Sequence, residues 1–262
     1  MSANDTGRVV IITGAAGGIG RVLVSAALDV GYRVALLDRD KGRLDQIISE
    51  LKECNQGDEL LACIVDVADE KSCTIAIEQV ISQFGRLDGL VNAAGIGMVV
   101  VRDSHMVEPV RFDEVSSDHW NQFFDINAKG PFLMAKGALP YLVKGGWGRI
   151  VNITSGTVSL GSTNYLHYIT SKFAMIGMTR SMARELGPWN ITVNTFCPGI
   201  IKTEIPRPSA PDKVFEMFRK QQCLPRLTTI DDLAKPMLFL CSEEAKFMTG
   251  QIFEPDGGLS FN

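Results

Sequence analysis

The sequence has little of what builds metal centres or covalent staples. It holds six cysteines and three histidines in 262 residues. The cysteines (Cys54, Cys63, Cys73, Cys197, Cys223, Cys241) are scattered, with no C-x-x-C pair and no metal-ligand spacing. Scatter of this kind reads as reduced thiols rather than a disulfide framework. His105, His119 and His167 show no zinc spacing either. No apolar run approaches the ~20 residues of a membrane span. Residues Met1 to Gly7 are polar and lack the apolar core of a signal peptide. Basic residues are not in excess: 26 Lys and Arg against 30 Asp and Glu give a net charge of −4. That balance advertises no basic face for nucleic acid. The expectation left standing is a cytoplasmic protein, with no metal and no membrane partner, acting on a small molecule.

What is present is apolar and regularly spaced. Hydrophobic residues are 45% and charged residues 21% of the chain, as in ordinary globular proteins. The length suffices for a sizeable core. Short apolar, β-branched runs over residues 8–12, 33–37, 60–65, 87–91, 148–153, 191–196 and 250–254 read as strands. Helical stretches alternate with them, over residues 21–30, 41–54, 69–84, 119–141, 168–186 and 231–241. Asp69 and Asp118 stand where N-caps belong. No composition break divides the chain. The pattern predicts an α/β single domain over residues 1–262, a doubly wound parallel sheet of about seven strands with helices on both faces. Two segments resist this reading. Residues 96–118 are a long connection, functional or simply a surface loop. Residues 200–228 are proline-rich and read as a mobile flap holding a short helix near Asp212–Lys220.

Several stretches carry chemistry. After the first strand comes Thr13-Gly14-Ala15-Ala16-Gly17-Gly18-Ile19-Gly20, then a helix. Strand, glycine turn and helix together suit a pyrophosphate, which the glycines let approach and the helix N-terminus attracts. Asp38 ends the second strand, where a carboxylate can accept from the adenosine ribose hydroxyls and repel a 2′-phosphate. Arg39 beside it could welcome that phosphate. Asp66-Val67 ends the third strand, where an acid could meet the adenine amino group. Asn92-Ala93-Ala94-Gly95 follows the fourth strand with small residues that a cofactor can pass closely. Asparagine inside a helix is mildly unfavourable, which singles out Asn127. Ser155 follows the fifth strand at its C-terminal end, where open α/β sheets place ligand chemistry. Tyr168 and Lys172 are four residues apart, so on a helix they share a face. A nearby ammonium favours the phenolate and lowers a tyrosine pKa from near ~10. Alone, such a pair is equally a surface cation beside a buried ring.

Taken together, the residues resemble the short-chain dehydrogenase/reductase family, over Arg8 to Gly258. Thr13, Gly14, Gly18, Ile19 and Gly20 match its T-G-x-x-x-G-I-G turn, and Asn92 to Gly95 its N-A-G element, with alanine where many members have a second asparagine. Asn127, Ser155, Tyr168 and Lys172 fall on its catalytic tetrad, and Pro198-Gly199-Ile200-Ile201-Lys202-Thr203 on its P-G-x-x-x-T element. The segment from Gly95 to Trp120 looks roughly ten residues longer than is usual there. The resemblance implies a Rossmann fold and an NAD(H)-dependent oxidoreductase acting on a secondary alcohol or ketone. It implies Tyr168 as general acid/base, Lys172 lowering its pKa and bonding the nicotinamide ribose, and Ser155 holding the substrate oxygen. Asn127 would bind a water linking Lys172 to solvent. Ile201 and Thr203 would hold the carboxamide, with Gly14, Gly17, Gly18, Pro198 and Gly199 close to the dinucleotide. Hydride passes directly between substrate and nicotinamide, so no metal is required. A homotetramer or homodimer built on the Tyr168 helix is also implied. Two alternatives remain. One is a 3-oxoacyl thioester reductase; such enzymes usually prefer NADP(H), which Asp38 opposes. The other is a non-catalytic NAD-binding regulatory protein, which the complete Ser155/Tyr168/Lys172 set opposes.

Overall fold

The structure is a computed structural model that describes residues 6–53, 59–102, 104–105, 108–202 and 212–261. Seven strands form one sheet: β1 (Val9–Thr13), β2 (Arg33–Asp38), β3 (Leu60–Ile64), β4 (Gly89–Asn92), β5 (Gly148–Ile153), β6 (Ile191–Phe196) and β7 (Ile252–Phe253). Their order is β3-β2-β1-β4-β5-β6-β7, and every neighbouring pair is parallel. Parallel neighbours need crossovers, and helices supply them. In chain order these are α1 (Gly18–Asp29), α2 (Lys41–Glu53), α3 (Glu70–Phe84), α4 (Ser117–Phe124), α5 (Gly130–Gly145), α6 (Thr157–Leu160), α7 (Leu166–Leu186), α8 (Asp212–Gln221) and α9 (Asp231–Leu240).

Alternation along the strands builds two cores. Val10 and Ile12 of β1 face a layer with Leu23, Val24 and Ala27 of α1 and Leu233 and Met237 of α9. Val9 and Ile11 face the other way, onto Ile77 and Val80 of α3 and Leu133 and Ala138 of α5. β1 is therefore apolar on both faces, which is why its run reads as continuous rather than alternating. The helices on both faces and the 3-2-1-4-5-6-7 order make this the Rossmann fold. The order reverses beside β1, so the C-terminal ends of β1 and β4 open the crevice where such sheets bind ligands. At the opposite end of the sheet, before β1, β4 and β5 begin, cations stack on an indole. The Arg8 and Arg149 guanidinium groups lie 3.5 and 4.0 Å from the Trp147 ring centre, and Asp88 accepts from Val9 N–H at 2.8 Å.

Local differences from the sequence reading have plain causes. Asp69 does cap α3, accepting from Ser72 N–H at 2.7 Å. Asp118 does not cap α4; Ser116 does, accepting from His119 N–H at 3.1 Å. Both are good capping residues two positions apart, and packing selects the earlier one. The helix expected over 119–141 is interrupted by a π turn, Asp125–Lys129, between α4 and α5. Among the described residues of 96–118, a few apolar side chains pack into the fold. The segment forms 3-10 turns at Met98–Val100 and Phe112–Glu114. Met98 and Val110 make a small core with Phe123, against which Tyr165 and Tyr168 pack.

Candidate active site

The glycine turn is shaped by contacts only glycine tolerates. Gly14 has φ +65°, and a Cβ there would lie 2.7 Å from Ala94 Cα. At Gly20 a Cβ would lie 2.1 Å from the Gly14 carbonyl oxygen. Helix α1 thus starts hard against the turn. Thr13 Oγ1 accepts from Ala93 and Ala94 N–H, both at 3.1 Å, which ties β1 to the Asn92–Gly95 stretch. Gly17 caps α1 without a side-chain bond, and no acid stands in the first turn. The first N–H groups of α1, around Gly18 and Ile19, therefore offer an anion site with no acid in the helix's own first turn.

Asp38 closes this end of the crevice. Its carboxylate accepts from Ala16 N–H at 3.0 Å, which bridges β2 to the glycine turn, and from Asp40 N–H at 3.0 Å. Each oxygen retains acceptor capacity for a ribose hydroxyl. Arg39 is exposed beside it. At the end of β3, Asp66 Oδ1 accepts from Ala68 N–H at 2.9 Å. Val67 is buried against α5, where a Cβ on Gly130 would come within 2.9 Å of it. A bare helix N-terminus, a close-fitting glycine turn and a carboxylate at the next strand's end fit a dinucleotide.

The other candidates gather at the ends of β4 and β5. Lys172 is 5% exposed and donates from Nζ to the Ile153 carbonyl at 3.0 Å. Burial pushes its ammonium down to about 8. Asn127 is fully buried in the π turn. Its Oδ1 accepts from Ile96 N–H at 2.8 Å, and its Nδ2 donates to Ile96 O at 3.1 Å and Ser171 Oγ at 3.0 Å. The π turn, a feature frequent at functional sites, is what turns this side chain inward. Gly95 lies between the two: a Cβ there would stand 3.0 Å from Lys172 Nζ and 3.1 Å from Asn127 Oδ1. Tyr168 is half-buried on α7, one turn before Lys172, edge-on to Phe123 and Tyr165 at 6.2 and 6.3 Å. Ser155 Oγ accepts from Thr157 N–H at 3.3 Å and Thr157 Oγ1 at 2.9 Å. Both Thr157 groups donate, so the Ser155 proton is left to point elsewhere.

Pro198 and Gly199 pack against neighbouring loops. The Pro198 carbonyl accepts from Gly156 N–H at 3.0 Å, and a Cβ on Gly199 would lie 3.0 Å from Asp256 Cα. Ile201 is buried and bridges Thr228. Thr203 lies outside the described residues. Asn152, Thr179 and His167 take part without any sequence signal. Asn92 Nδ2 donates to Asn152 Oδ1 and Asn152 Nδ2 to Thr179 Oγ1, both at 2.8 Å, a buried chain that ties β4 and β5 to α7. His167 is fully buried against Phe123 at 4.4 Å. Burial, then His119, lowers its pKa. Among the described residues no group of three or more His, Cys, Asp or Glu is arranged to hold a metal ion.

Comparison with known proteins places the whole chain. A family model described as enoyl-(acyl carrier protein) reductase matches residues 14–260. The chain is 33% identical to the 3-oxoacyl-(acyl-carrier-protein) reductase FabG of Thermotoga maritima, covering 97% of this chain and 98% of that one. It belongs to the short-chain dehydrogenase/reductase family. The 3-oxoacyl-(acyl-carrier-protein) reductase FabG of Aquifex aeolicus is 30% identical to it, over 99% of this chain and 100% of that relative. A crystal structure of the 3-ketoacyl-(acyl-carrier-protein) reductase of Brucella melitensis, complexed with NADH, superposes with a TM-score of 0.85. The two are 30% identical, and the match covers 98% and 99% of the two chains. Membership in this family makes the chain an oxidoreductase.

Proposed function

We propose that this enzyme reduces 3-oxoacyl thioesters to 3-hydroxyacyl thioesters with a nicotinamide dinucleotide, NAD(H) in preference to NADP(H). The observation that carries the reading is the joint presence of Tyr168, Lys172, Ser155 and Asn127 around the ends of β4 and β5 in a chain whose full-length relatives are 3-oxoacyl reductases. Those relatives favour the thioester over the general secondary alcohol or ketone that the sequence motifs alone suggest. They also weigh against a non-catalytic NAD-binding regulator.

The residues divide the work as follows. A bound nicotinamide supplies the hydride. Ser155 donates its one proton to the substrate carbonyl oxygen, since Thr157 fills the acceptor side of the hydroxyl. Tyr168 gives its phenolic proton to that oxygen as negative charge develops there. Lys172, held by the Ile153 carbonyl, presents positive charge on the same face of α7 and favours the departing proton's loss from the phenol. Asn127 anchors Ile96 and Ser171 and so holds the loop after β4 against α7.

A panel of 3-oxoacyl thioesters and simple ketones, followed by absorbance of the reduced cofactor with NADH and NADPH, tests the reading. Turnover should be fastest with the thioesters; a clear preference for simple ketones would return the enzyme to the general alcohol dehydrogenase class. Asp38 should give NADH an advantage of at least ~10²-fold in kcat/KM, about 2.7 kcal/mol, and Asp38→Ser should narrow it. Equal use of NADPH by the parent would mean that Arg39 outweighs Asp38.

A further inference from the structure

Ser155 is held by an element too short to hold itself. Helix α6 (Thr157–Leu160) is a single turn, four residues long, and one isolated turn is not stable in water. Yet Thr157, its first residue, sets the Ser155 hydroxyl through two hydrogen bonds. Something outside α6 must keep it in place.

Besides the Gly156 N–H bond to the Pro198 carbonyl and the buried Val158 side chain, a carboxylate just past the edge strand β7 does so. Glu254 follows β7 directly, 95 positions from Ser159 in the chain. Its Oε1 accepts from Ser159 Oγ, on the third residue of α6. Its Oε2 accepts from Ser260 Oγ at 3.4 Å, near the C-terminus. The Cys197 thiol is a further neighbour. Burial, first of all, pushes that thiol up to about 12, with Glu254 adding to the shift. Cys197 Sγ also lies 2.7 Å from Thr154 Oγ1, on the residue before Ser155. Polar side chains from β7, α6, the β5 end and the β6 end are thus linked pairwise, and Thr154 immediately precedes Ser155 in the chain. Asp256 completes the support two residues on, where its carboxylate accepts from Gly258, Leu259 and Ser260 N–H at 2.9, 3.1 and 2.9 Å.

We infer that Glu254 is a positioning residue for catalysis: by pinning α6 through Ser159 it fixes Thr157, and through Thr157 the direction in which Ser155 donates. The inference rests on the reading of Ser155 as the substrate-oxygen donor. It goes beyond it by assigning the donor's aim to a carboxylate that reaches Ser155 by way of Ser159 and Thr157.

Steady-state kinetics of Glu254→Ala, Glu254→Gln, Ser159→Ala and the Glu254→Ala/Ser159→Ala pair test it, on the best substrate of the panel. Glu254→Ala should lower kcat about 10-fold, a part of the ~10²–10³-fold that losing an oxyanion donor outright costs. NADH affinity, measured by fluorescence titration, should be unchanged, because Ser159 and Ser260, from which Glu254 accepts, are not residues of the glycine turn. Glu254→Gln should restore most of the loss, since its amide oxygen still accepts from Ser159. The double variant should be no slower than the slower single one, as for two residues acting through one contact. Parent-like kcat in Glu254→Ala, or losses that add in the double variant, overturn the inference. So does a loss that only tracks the folded fraction by thermal melting. Ser155→Ala separates this from the reading beneath it. If that variant keeps parental activity, the role of Ser155 itself is wrong.

Discussion

A primary ammonium sealed from water is costly, and Lys172 is 5% exposed with one carbonyl 3.0 Å away. Burial holds its pKa near 8 against an ordinary 10.5. Between those two values the unfolded chain keeps a proton that the folded chain has released. Stability therefore rises with pH across the window, and the burial penalty is fully present below about 8. Lys172→Met removes the penalty. Its melting temperature should exceed the parent's at pH 7, and the gap should close towards pH 10. A gap that does not change with pH would show that Lys172 titrates normally. Tyr168 is tested by chemistry instead. Tyr168→Phe keeps the ring that packs on Phe123 and Tyr165 and removes the transferable proton. We expect kcat to fall at least ~10²-fold, the scale of a lost general acid, with NADH binding retained. Activity within a few-fold of the parent would remove Tyr168 from the mechanism.

At the scale of elements, the π turn and α8 matter most. An asparagine within a helix drew attention to position 127, but a regular helix would not have turned it inward. The extra residue of the π turn, together with the Ile96 backbone, makes its burial affordable: both ends of its amide are hydrogen-bonded. Helix α8 (Asp212–Gln221) has one deeply buried apolar residue, Phe215, while Met217 is 47% exposed. It lies between the two ends of the Ile201–Thr228 bridge, in the segment read as a flap. Bound NADH should slow amide exchange across α8 if the segment closes over nicotinamide and substrate. Exchange that is equal with and without the cofactor would leave α8 a fixed surface helix. The 96–118 segment shows why loops are hard to read: Met98 and Val110 are its anchors, and two apolar residues twelve apart have no periodicity to betray them.

At the scale of the molecule, apolar surface is unevenly spent. Phe173 and Leu166 on α7 are 56% and 45% exposed, and Phe132 on α5 is 48% exposed. Helix α7 already buries Met175, Ile176 and Ala183 against the sheet, so its outer face has no partner within the described chain. We propose that this face meets a second copy of the chain. Light scattering at micromolar concentration should give a homodimer or homotetramer, as the family resemblance implies. A species near 28.6 kDa would count against assembly through α7. No helix among the described residues is long and apolar enough to cross a membrane.

Sequence alone determined whatever depends on local chemistry and period. Strand runs, alternating helices and the glycine turn follow from side-chain spacing and from backbone angles only glycine adopts, and they sufficed for a parallel, doubly wound sheet. Tyr168 and Lys172 share a face because a helix brings positions four apart together. Tertiary structure decided everything that couples distant positions. Ser116 rather than Asp118 caps α4, because both residues have the chemistry and only packing chooses. Asn127 meets Ile96 across 31 residues, Asn152 reaches Thr179 across 27, and Glu254 reaches Ser159 across 95. Such bonds form only once the sheet has set its strand order, and no local pattern in the chain records which end of which strand will stand beside another.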